Sequence, residues 1–247
     1  MRKLTPPAIT PWQRLLVAGT AMLPIAALVP SIGGWVPLWL TTACITVPAW
    51  LALFALGARD PVWRRSLAVV VLCGMLACLI YDGVRLTLTA LGGLHDGIPN
   101  IGRMLVGDLS APAPEVFALA YYYRYLGDGG GLAMAFFVGQ RYGVRAGLAF
   151  GASVCLCLWA TLALFPLAQV LLFPLTPYAL AMTMVGHLVF GGVLGWLLAR
   201  VFAAGPEAAR EARAPGSEAV PALTLTVRET AELPAVGEGK PRAVQGA

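Results

Sequence analysis

Six long apolar stretches make up almost all of the chain before residue 205, and only short loops separate them. A helix of about twenty apolar residues crosses roughly 30 Å of hydrocarbon at 1.5 Å per residue. Charged side chains are only 12% of the 247 residues, whereas soluble domains carry roughly a quarter. Backbone groups in lipid must be hydrogen-bonded within their own segment, so helix is the expected form. The sequence therefore predicts an all-α, polytopic transmembrane helical bundle. The six predicted spans are 12–30, 35–56, 66–91, 115–139, 146–173 and 177–200.

The distribution of Lys and Arg predicts the orientation of these spans. With six spans, one side of the membrane holds nearly all the basic residues: Arg2, Lys3, Arg14, Arg59, Arg64, Arg65, Arg141, Arg145, Arg200, Arg210 and Arg213. The opposite side holds Arg103 alone. Because basic residues concentrate in cytoplasmic loops, both termini are predicted to be cytoplasmic in a multi-pass cell (inner) membrane protein. The net charge of +5 is then a topology signal, and no nucleic-acid partner is expected.

The chain divides into two parts near residue 204. Residues 1–204 form the predicted six-helix transmembrane domain. Residues 205–247 are rich in Ala, Glu, Pro and Gly with charges of both signs, which is typical of a disordered, solvated tail. The basic start and apolar core of the first span also fit a signal peptide. No small-x-small cleavage site follows that core, so an uncleaved first span is predicted.

Five ionisable residues interrupt the apolar spans, and they are the main indication of a site: Asp82, Arg85, Arg124, Asp128 and His187. A charge at mid-membrane costs roughly 2.5–3.5 kcal/mol, so such residues need partners and mark candidate pathways or binding sites. Counted from the outer ends of their spans, all five share the outer half to middle of the bilayer. The simplest arrangement pairs Asp82 with Arg124, and Arg85 and Asp128 then complete a binding or coupling cluster directly or through water.

Tyrosines crowd the same depth, and Tyr81 and Tyr125 are assigned to the cluster because phenol groups hydrogen-bond carboxylates and line semi-polar cavities. Interfacial anchoring is the alternative role, and it suits Tyr121 best. His187 is either a hydrogen-bonded packing residue or a titrating group, since its unperturbed pKa lies near neutrality.

Glycines four residues apart predict close helix packing. Three such pairs occur: Gly127 and Gly131, Gly147 and Gly151, and Gly191 and Gly195. The run 127–131 contains four glycines and Asp128, but it lacks the preceding strand and the Lys-Ser/Thr ending of a phosphate-binding loop. Two alternatives stay open for this segment: a locally unwound helix, as in transporter sites, or a continuous helix packed closely on a neighbour, which is favoured.

The remaining polar features predict neither a metal site nor a cofactor. All five cysteines lie in apolar spans without metal-ligand spacing to His, so they are expected to pack as small apolar residues. The external loop 92–114 contains His95 and Asp96, a pair too common to indicate a metal site. Residues Ile101 to Leu109 of this loop are predicted to form a short helix on the outer surface or a lid over the cluster.

Two resemblances follow from these motifs. Tyr81-Asp82 and Tyr125-Leu126-Gly127-Asp128 resemble the Tyr-Asp and Gly-x-Gly-Asp motifs of presenilin-type intramembrane aspartyl proteases, and the resemblance implies two carboxylates that share a proton. It covers six residues, Tyr125 replaces a glycine, and the spans are too few. Arg85 and Arg124 would also keep both carboxylates ionised.

The order Tyr81-Asp82-x-x-Arg85, a Gly-rich segment, and Gly186-His187 followed by Gly191 and Gly195 resembles uncharacterised small bacterial six-span integral membrane proteins. That resemblance covers most of residues 66–200 and implies a fold class without a function.

Three functions are therefore considered. The first is a small permease-like or solute- or proton-binding protein that uses the Asp/Arg/His cluster. The second is a non-catalytic structural or assembly subunit whose Gly-rich faces contact a membrane-protein partner or a second copy. The third is an intramembrane aspartyl hydrolase, although no catalytic residue is assigned. A wet pocket that reaches the cluster favours the first, and a dry, fully paired cluster favours the second.

Overall fold

The computed structural model describes residues 3–203. The predicted tail at 205–247 lies outside the described residues, as do Arg2, Arg210 and Arg213. Within the described part, the chain is helical and forms no strand. The helices are α1 (Pro11–Ile32), α2 (Leu38–Gly57, with a π-helical turn at Thr42–Thr46), α3 (Pro61–Leu91), α4 (Ile98–Val106), α5 (Ala113–Tyr122), α6 (Gly131–Phe137), α7 (Val144–Leu164), α8 (Leu167–Val170) and α9 (Pro177–Val201). A π-helical segment, Tyr123–Gly130, joins α5 to α6.

Five of these helices are long and apolar enough to cross a membrane: α1, α2, α3, α7 and α9. The prediction of a helical, multi-pass membrane protein is confirmed at this level. Local signals explain where the helices begin. Thr10 caps α1 in a capping box with Gln13, and the Asp60 carboxylate accepts hydrogen bonds from the first backbone N–H groups of α3.

The fifth predicted span is too long by nine residues. The helix α7 ends at Leu164, and the short α8 follows after a break at Phe165 and Pro166. Phe165 is extended, with φ −122° and ψ 157°. A proline disfavours the helical conformation in the residue before it, so Pro166 forces this break. Hydropathy alone could not place the boundary, because residues on both sides of the proline are apolar.

The segment of the fourth predicted span is helical from Ala113 to Phe137, but its middle is π-helical. It is therefore neither unwound nor a regular α-helix. A π-helix bonds each N–H to the carbonyl five residues earlier, so the backbone stays hydrogen-bonded while the turn widens. The widened turn contains Arg124 and Asp128, and such turns are frequent at functional sites.

The helix in the external loop begins three residues earlier than predicted, and it is packed into the bundle. Ile98, Ile101 and Met104 of α4 are buried, and a side chain at Gly102 would overlap the Val116 carbonyl of α5. The prediction of a surface helix is therefore wrong. Its apolar face has a partner in α5, so α4 covers the end of the bundle at which α3 ends and α5 begins.

Proline and glycine positions bring α1 close to its neighbours. Pro24 has no N–H, so the carbonyl of Thr20 lacks its usual helical donor. The indole N–H of Trp50 in α2 donates to that carbonyl at 3.0 Å. A side chain at Gly131 would overlap the Ala21 carbonyl, and one at Gly127 would lie 3.0 Å from Pro24 Cβ. The Gly127/Gly131 pair therefore lies at the contact with α1.

The other two glycine pairs lie together in the contact between α7 and α9. A side chain at Gly147 would overlap the Gly191 carbonyl, and one at Gly191 would overlap the Gly147 carbonyl. Gly151 meets the carbonyl of His187 in the same way, and Gly195 meets that of Gly143. A further close backbone contact lies elsewhere in the bundle, where a side chain at Gly74 of α3 would overlap the carbonyl of Gly129 in the π-helical segment.

The segment before α1 meets the end of α9. The N–H of Leu4 donates to the Val201 carbonyl at 2.8 Å, and the N–H of Ala203 donates to the Leu4 carbonyl at 2.9 Å. Gln140, between α6 and α7, donates its side-chain N–H to the Pro7 carbonyl at 2.9 Å. These contacts place the start of α1, the end of α6 and the end of α9 at one end of the bundle.

The glycine contacts lead to a first prediction. Gly147→Ala should destabilise the protein, because the added methyl overlaps the Gly191 carbonyl, and overpacking costs about 1–3 kcal/mol. That loss should exceed the gain of about 1 kcal/mol in helix propensity. The thermal unfolding midpoint in detergent measures the balance. Gly19→Ala is the matched control, since nothing lies within 4 Å of an added methyl there. Equal rises in both variants would show that α7 and α9 are not in close contact.

Candidate functional site

The residues of the predicted cluster come from three helical segments. Asp82 and Arg85 lie one turn apart on α3, Arg124 and Asp128 lie in the π-helical segment, and His187 lies on α9. The glycine contact between Gly74 and Gly129 draws α3 against the π-helical segment. The two pairs of charged side chains therefore face each other across a closely packed interface.

Asp82 occupies the centre of the cluster. Its side chain is only 2% exposed, and its carboxylate contacts two guanidinium groups. Arg124 Nε lies 3.0 Å from Oδ1 and 2.9 Å from Oδ2 of Asp82, which is the pairing expected from the sequence. Arg85 Nε also donates to Asp82 Oδ1, at 2.8 Å. Arg85 and Asp128 join the set through separate partners, and no direct contact between these two residues is found within 3–203.

Arg85 extends the network to the external loop. Its Nη1 donates to Asp96 Oδ1 at 2.8 Å, and its Nη2 donates to the Tyr121 hydroxyl at 3.0 Å. Tyr121 donates in turn to Asp96 Oδ2 at 2.9 Å. Tyr121 is buried, so the prediction that it anchors the chain at the interface is wrong. The residues that sequence reasoning missed are therefore Asp96 and Tyr121.

The charge balance of the predicted spans gave no signal for Asp96. Asp82 and Asp128 match Arg85 and Arg124 within the membrane, so nothing in the spans called for a third carboxylate. Burial by itself would raise the pKa of Asp96, but the Arg85 charge and hydrogen bonds from Arg85, the Ile98 N–H and Tyr121 lower that pKa below its ordinary value. Asp96 is thus held as a carboxylate at the loop end of the network.

Asp128 is the most weakly paired member. Its Oδ2 lies 3.3 Å from Arg124 Nη1, and its buried Oδ1 has no hydrogen-bond partner among the described residues. The guanidinium of Arg124 also lies 4.8 Å from the centre of the Tyr81 ring, a cation–π contact. One carboxylate oxygen of the cluster is therefore left without a donor, which is costly in an apolar environment.

His187 contacts the cluster through Tyr81. The two rings meet edge to face, with their centres 5.2 Å apart. His187 Nδ1 lies 2.7 Å from the Thr183 carbonyl, and because a carbonyl only accepts, Nδ1 carries the proton. In the neutral ring, Nε2 is then an acceptor. The Thr183 side chain also has a partner: its hydroxyl accepts a hydrogen bond from the indole N–H of Trp159 at 2.8 Å.

A cavity of about 540 Å³ reaches this cluster. Its walls come from α1, α3, α7, α9, the π-helical segment and the external loop, and most of them are apolar. The polar residues in the wall include five cluster residues: Tyr81, Arg85, Arg124, Asp128 and His187. The others are Thr89, His95, Ser153, Thr161 and Thr183. A volume of this size is within the range of small-molecule sites. Tyr125 packs on Tyr121, with ring centres 5.7 Å apart, and it does not line the cavity.

The cysteines and acidic residues show no metal-binding arrangement. In the part of the chain that the structure describes, no group of three or more His, Cys, Asp or Glu side chains could hold a metal ion. All five cysteines are free, and Cys44 and Cys157 are the exposed ones.

Comparisons of the chain with protein-family models, with curated proteins and with solved structures find no match.

The pairing of Asp82 and Arg124 gives the second prediction. Asp82→Asn and Arg124→Gln should each lower stability by about 3–5 kcal/mol. Asp82→Asn leaves Arg124 with only its long contact to Asp128, and Arg124→Gln leaves Asp82 with Arg85 alone and Asp128 without an ion-pair partner. The double variant should lose less than the sum of the two, by about 0.5–3 kcal/mol. Denaturant unfolding in detergent measures all three.

The control cycle combines Arg124→Gln with Asp108→Asn. Asp108 lies in the external loop, and its carboxylate accepts hydrogen bonds from Ser110. These two changes should be additive. Additive losses for Asp82 and Arg124 as well would contradict the pairing.

Proposed function

We propose that this chain is a six-span protein of a cell (inner) membrane that binds a small solute or a proton at its Asp/Arg/His cluster, in a permease-like role. The observation that carries this proposal is the cavity of about 540 Å³ whose wall includes Arg124, Asp128 and His187. Ionisable residues inside membrane proteins generally mark binding sites or pathways. A cluster that served only to hold helices together would need no cavity beside it.

The incomplete pairing of the cluster supports a binding role. Asp82 is saturated by two guanidinium groups, but Asp128 has a single long contact and one oxygen without a partner. A bound solute or proton changes the interactions of a weakly paired group more than those of a saturated one. Asp128 and His187 are therefore the proposed binding groups, and Asp82, Arg85 and Arg124 hold them in place.

The six-span topology is supported by the packing of the ends. The contacts of Leu4 with Val201 and Ala203 bring the start of α1 beside the end of α9, which requires an even number of crossings. Five helices suit membrane crossing by length and composition, and Ala113–Phe137 supplies the sixth crossing. The excess of Arg and Lys at this end then assigns it to the cytoplasm.

The second candidate, a structural or assembly subunit, is favoured by the ion pairs of Asp82 with Arg85 and Arg124, since such pairs specify which helices pack together. The glycine-rich faces that were predicted to contact a partner argue against this second candidate. The glycine pairs at 127/131, 147/151 and 191/195 are occupied by contacts within the chain, so they are not free to bind a partner. The hydrolase is disfavoured because Arg124 contacts both carboxylates that would have to share a proton.

The topology gives the third prediction. Reporter fusions after Asp60, Asp108, Arg141 and Arg210 should read inside, outside, inside and inside, because the basic loops stay cytoplasmic. Paired alkaline phosphatase and green fluorescent protein fusions give opposite signals at each site and so control for expression. An external reading after Arg210 would overturn both the span number and the orientation.

The role of His187 gives the fourth prediction. His187→Gln should leave the unfolding midpoint nearly unchanged, because the Gln amide can also donate to the Thr183 carbonyl. A deletion strain that carries the His187→Gln gene should not regain the growth or uptake that the wild-type gene restores, since the Gln side chain cannot titrate. Complementation is measured from about pH 5.5 to pH 8, which spans the ordinary pKa of a His side chain.

Val185→Ala is the matched control on the same helix. Val185 is 45% exposed and does not line the cavity, so this variant should complement like the wild type. Full complementation by His187→Gln across the pH range would make His187 a packing residue and would remove the support for the permease-like role.

A further inference from the structure

The cavity is open on the side of the bundle, between α1 and α7. Its two facing walls include Met22, Ile25 and Val29 of α1 and Phe150 and Val154 of α7. These two helices have no extensive backbone contact with each other among residues 3–203. Ala26, Ser153 and Cys157 line the cavity and are at the same time exposed. Because these residues lie in the middle of helices long and apolar enough to cross a membrane, this opening faces lipid, whereas the exposed cavity residue His95 lies in the loop before α4.

The charged network beside the cavity carries an excess negative charge, and of its members Arg85, Arg124 and Asp128 line the cavity itself. Three carboxylates, on Asp82, Asp96 and Asp128, face two guanidinium groups, on Arg85 and Arg124, which leaves one net negative charge when all five are ionised. Each side-chain nitrogen of Arg85 donates to a partner within the protein: Asp82, Asp96 or Tyr121. The unmatched charge belongs to the weakly paired Asp128.

The groups beside Asp128 favour a ligand that donates hydrogen bonds. Asp128 Oδ1 lacks a donor, and Nε2 of the neutral His187 ring accepts. A protonated amine supplies both a positive charge and several N–H donors. The mostly apolar remainder of the cavity suits an alkyl or aromatic body, as in most small-molecule sites.

We propose that the cavity binds a single-chain amphipathic ammonium compound, which enters sideways from the bilayer between α1 and α7 and places its head group against Asp128. This inference rests on the proposed function, because it specifies the ligand class of the same site. Lateral access explains why a membrane-embedded cavity has an apolar opening. The ammonium group then neutralises the charge that the protein itself leaves unpaired.

The native cysteines provide the test. Cys157 is exposed and lines the cavity. Cys44 is also exposed but lies outside the cavity, so Cys44 is the internal control. The full chain is reconstituted in lipid nanodiscs and treated with N-ethylmaleimide, with dodecylamine, dodecanol or dodecanoate present. Mass spectrometry of peptides follows the alkylation of each cysteine. Dodecylamine at ten times its Kd should slow alkylation of Cys157 roughly tenfold and leave Cys44 unchanged.

The three compounds share one chain length and differ in head-group charge. Dodecanol should need at least a roughly tenfold higher concentration for the same protection, because its hydroxyl can donate to the Asp128 carboxylate but carries no positive charge. Asp128→Asn should remove this advantage of the amine. Best protection by dodecanoate would assign the head group to Arg124 and overturn the inference. Equal protection by all three compounds, or protection by none, would also overturn it.

A second pair of variants tests the lateral opening and does not depend on the charged residues. Ala26→Phe narrows the opening at an exposed cavity position, and Leu16→Phe adds a similar ring at an exposed position of the same helix outside the cavity. Only Ala26→Phe should weaken protection by dodecylamine. Equal effects of both variants would contradict the proposed route. The His187→Gln complementation uses none of these compounds. If dodecylamine does not protect Cys157 but His187→Gln fails to complement, the ligand class is overturned and the proposed function stands.

Discussion

Asp82 binds two guanidinium groups at once, and the centre of the bundle depends on this double contact. Arg124 would be very costly in lipid by itself, and the π-helical segment that carries it also contains four glycines and a second charge. Asp82 of α3 lies beside this segment and neutralises the Arg124 charge. Through Arg85 the same carboxylate is linked to Asp96 and Tyr121, so one residue connects α3, the π-helical segment and the external loop.

Small residues make these charge contacts geometrically possible. Gly74 and Gly129 bring two backbones so close that a methyl group on either would overlap the other helix or its side chains. Short distances between helices allow the short Asp82 side chain to reach Arg124 with both oxygens. The glycines and the charges are therefore parts of one arrangement. The π-helical turn keeps the backbone hydrogen-bonded while it places Arg124 and Asp128 on the cavity wall.

Hydropathy predicted the helical, membrane-compatible character of the fold, since lipid imposes length and helix rules on any such chain. The same reasoning paired Asp82 with Arg124, because two isolated opposite charges at one depth have few alternatives. It could not find Asp96 or the role of Tyr121, which depend on how α4 folds back over α5. It also extended the fifth span past Pro166 and missed the π-helical turn, because neither feature changes the hydropathy of the segment.

The pairing of Leu4 with Val201 and Ala203 has a consequence for synthesis. A ribosome produces α1 first and α9 last, so the segment before α1 must wait for its partner until residue 203 has been made. During that interval α1 can pack on α6 and the π-helical segment, but Leu4 in the segment before α1 has no backbone partner. The backbone contact between the segment before α1 and the end of α9 therefore forms late in synthesis, and a chain stopped before α9 would lack both this contact and the His187 side of the cavity wall.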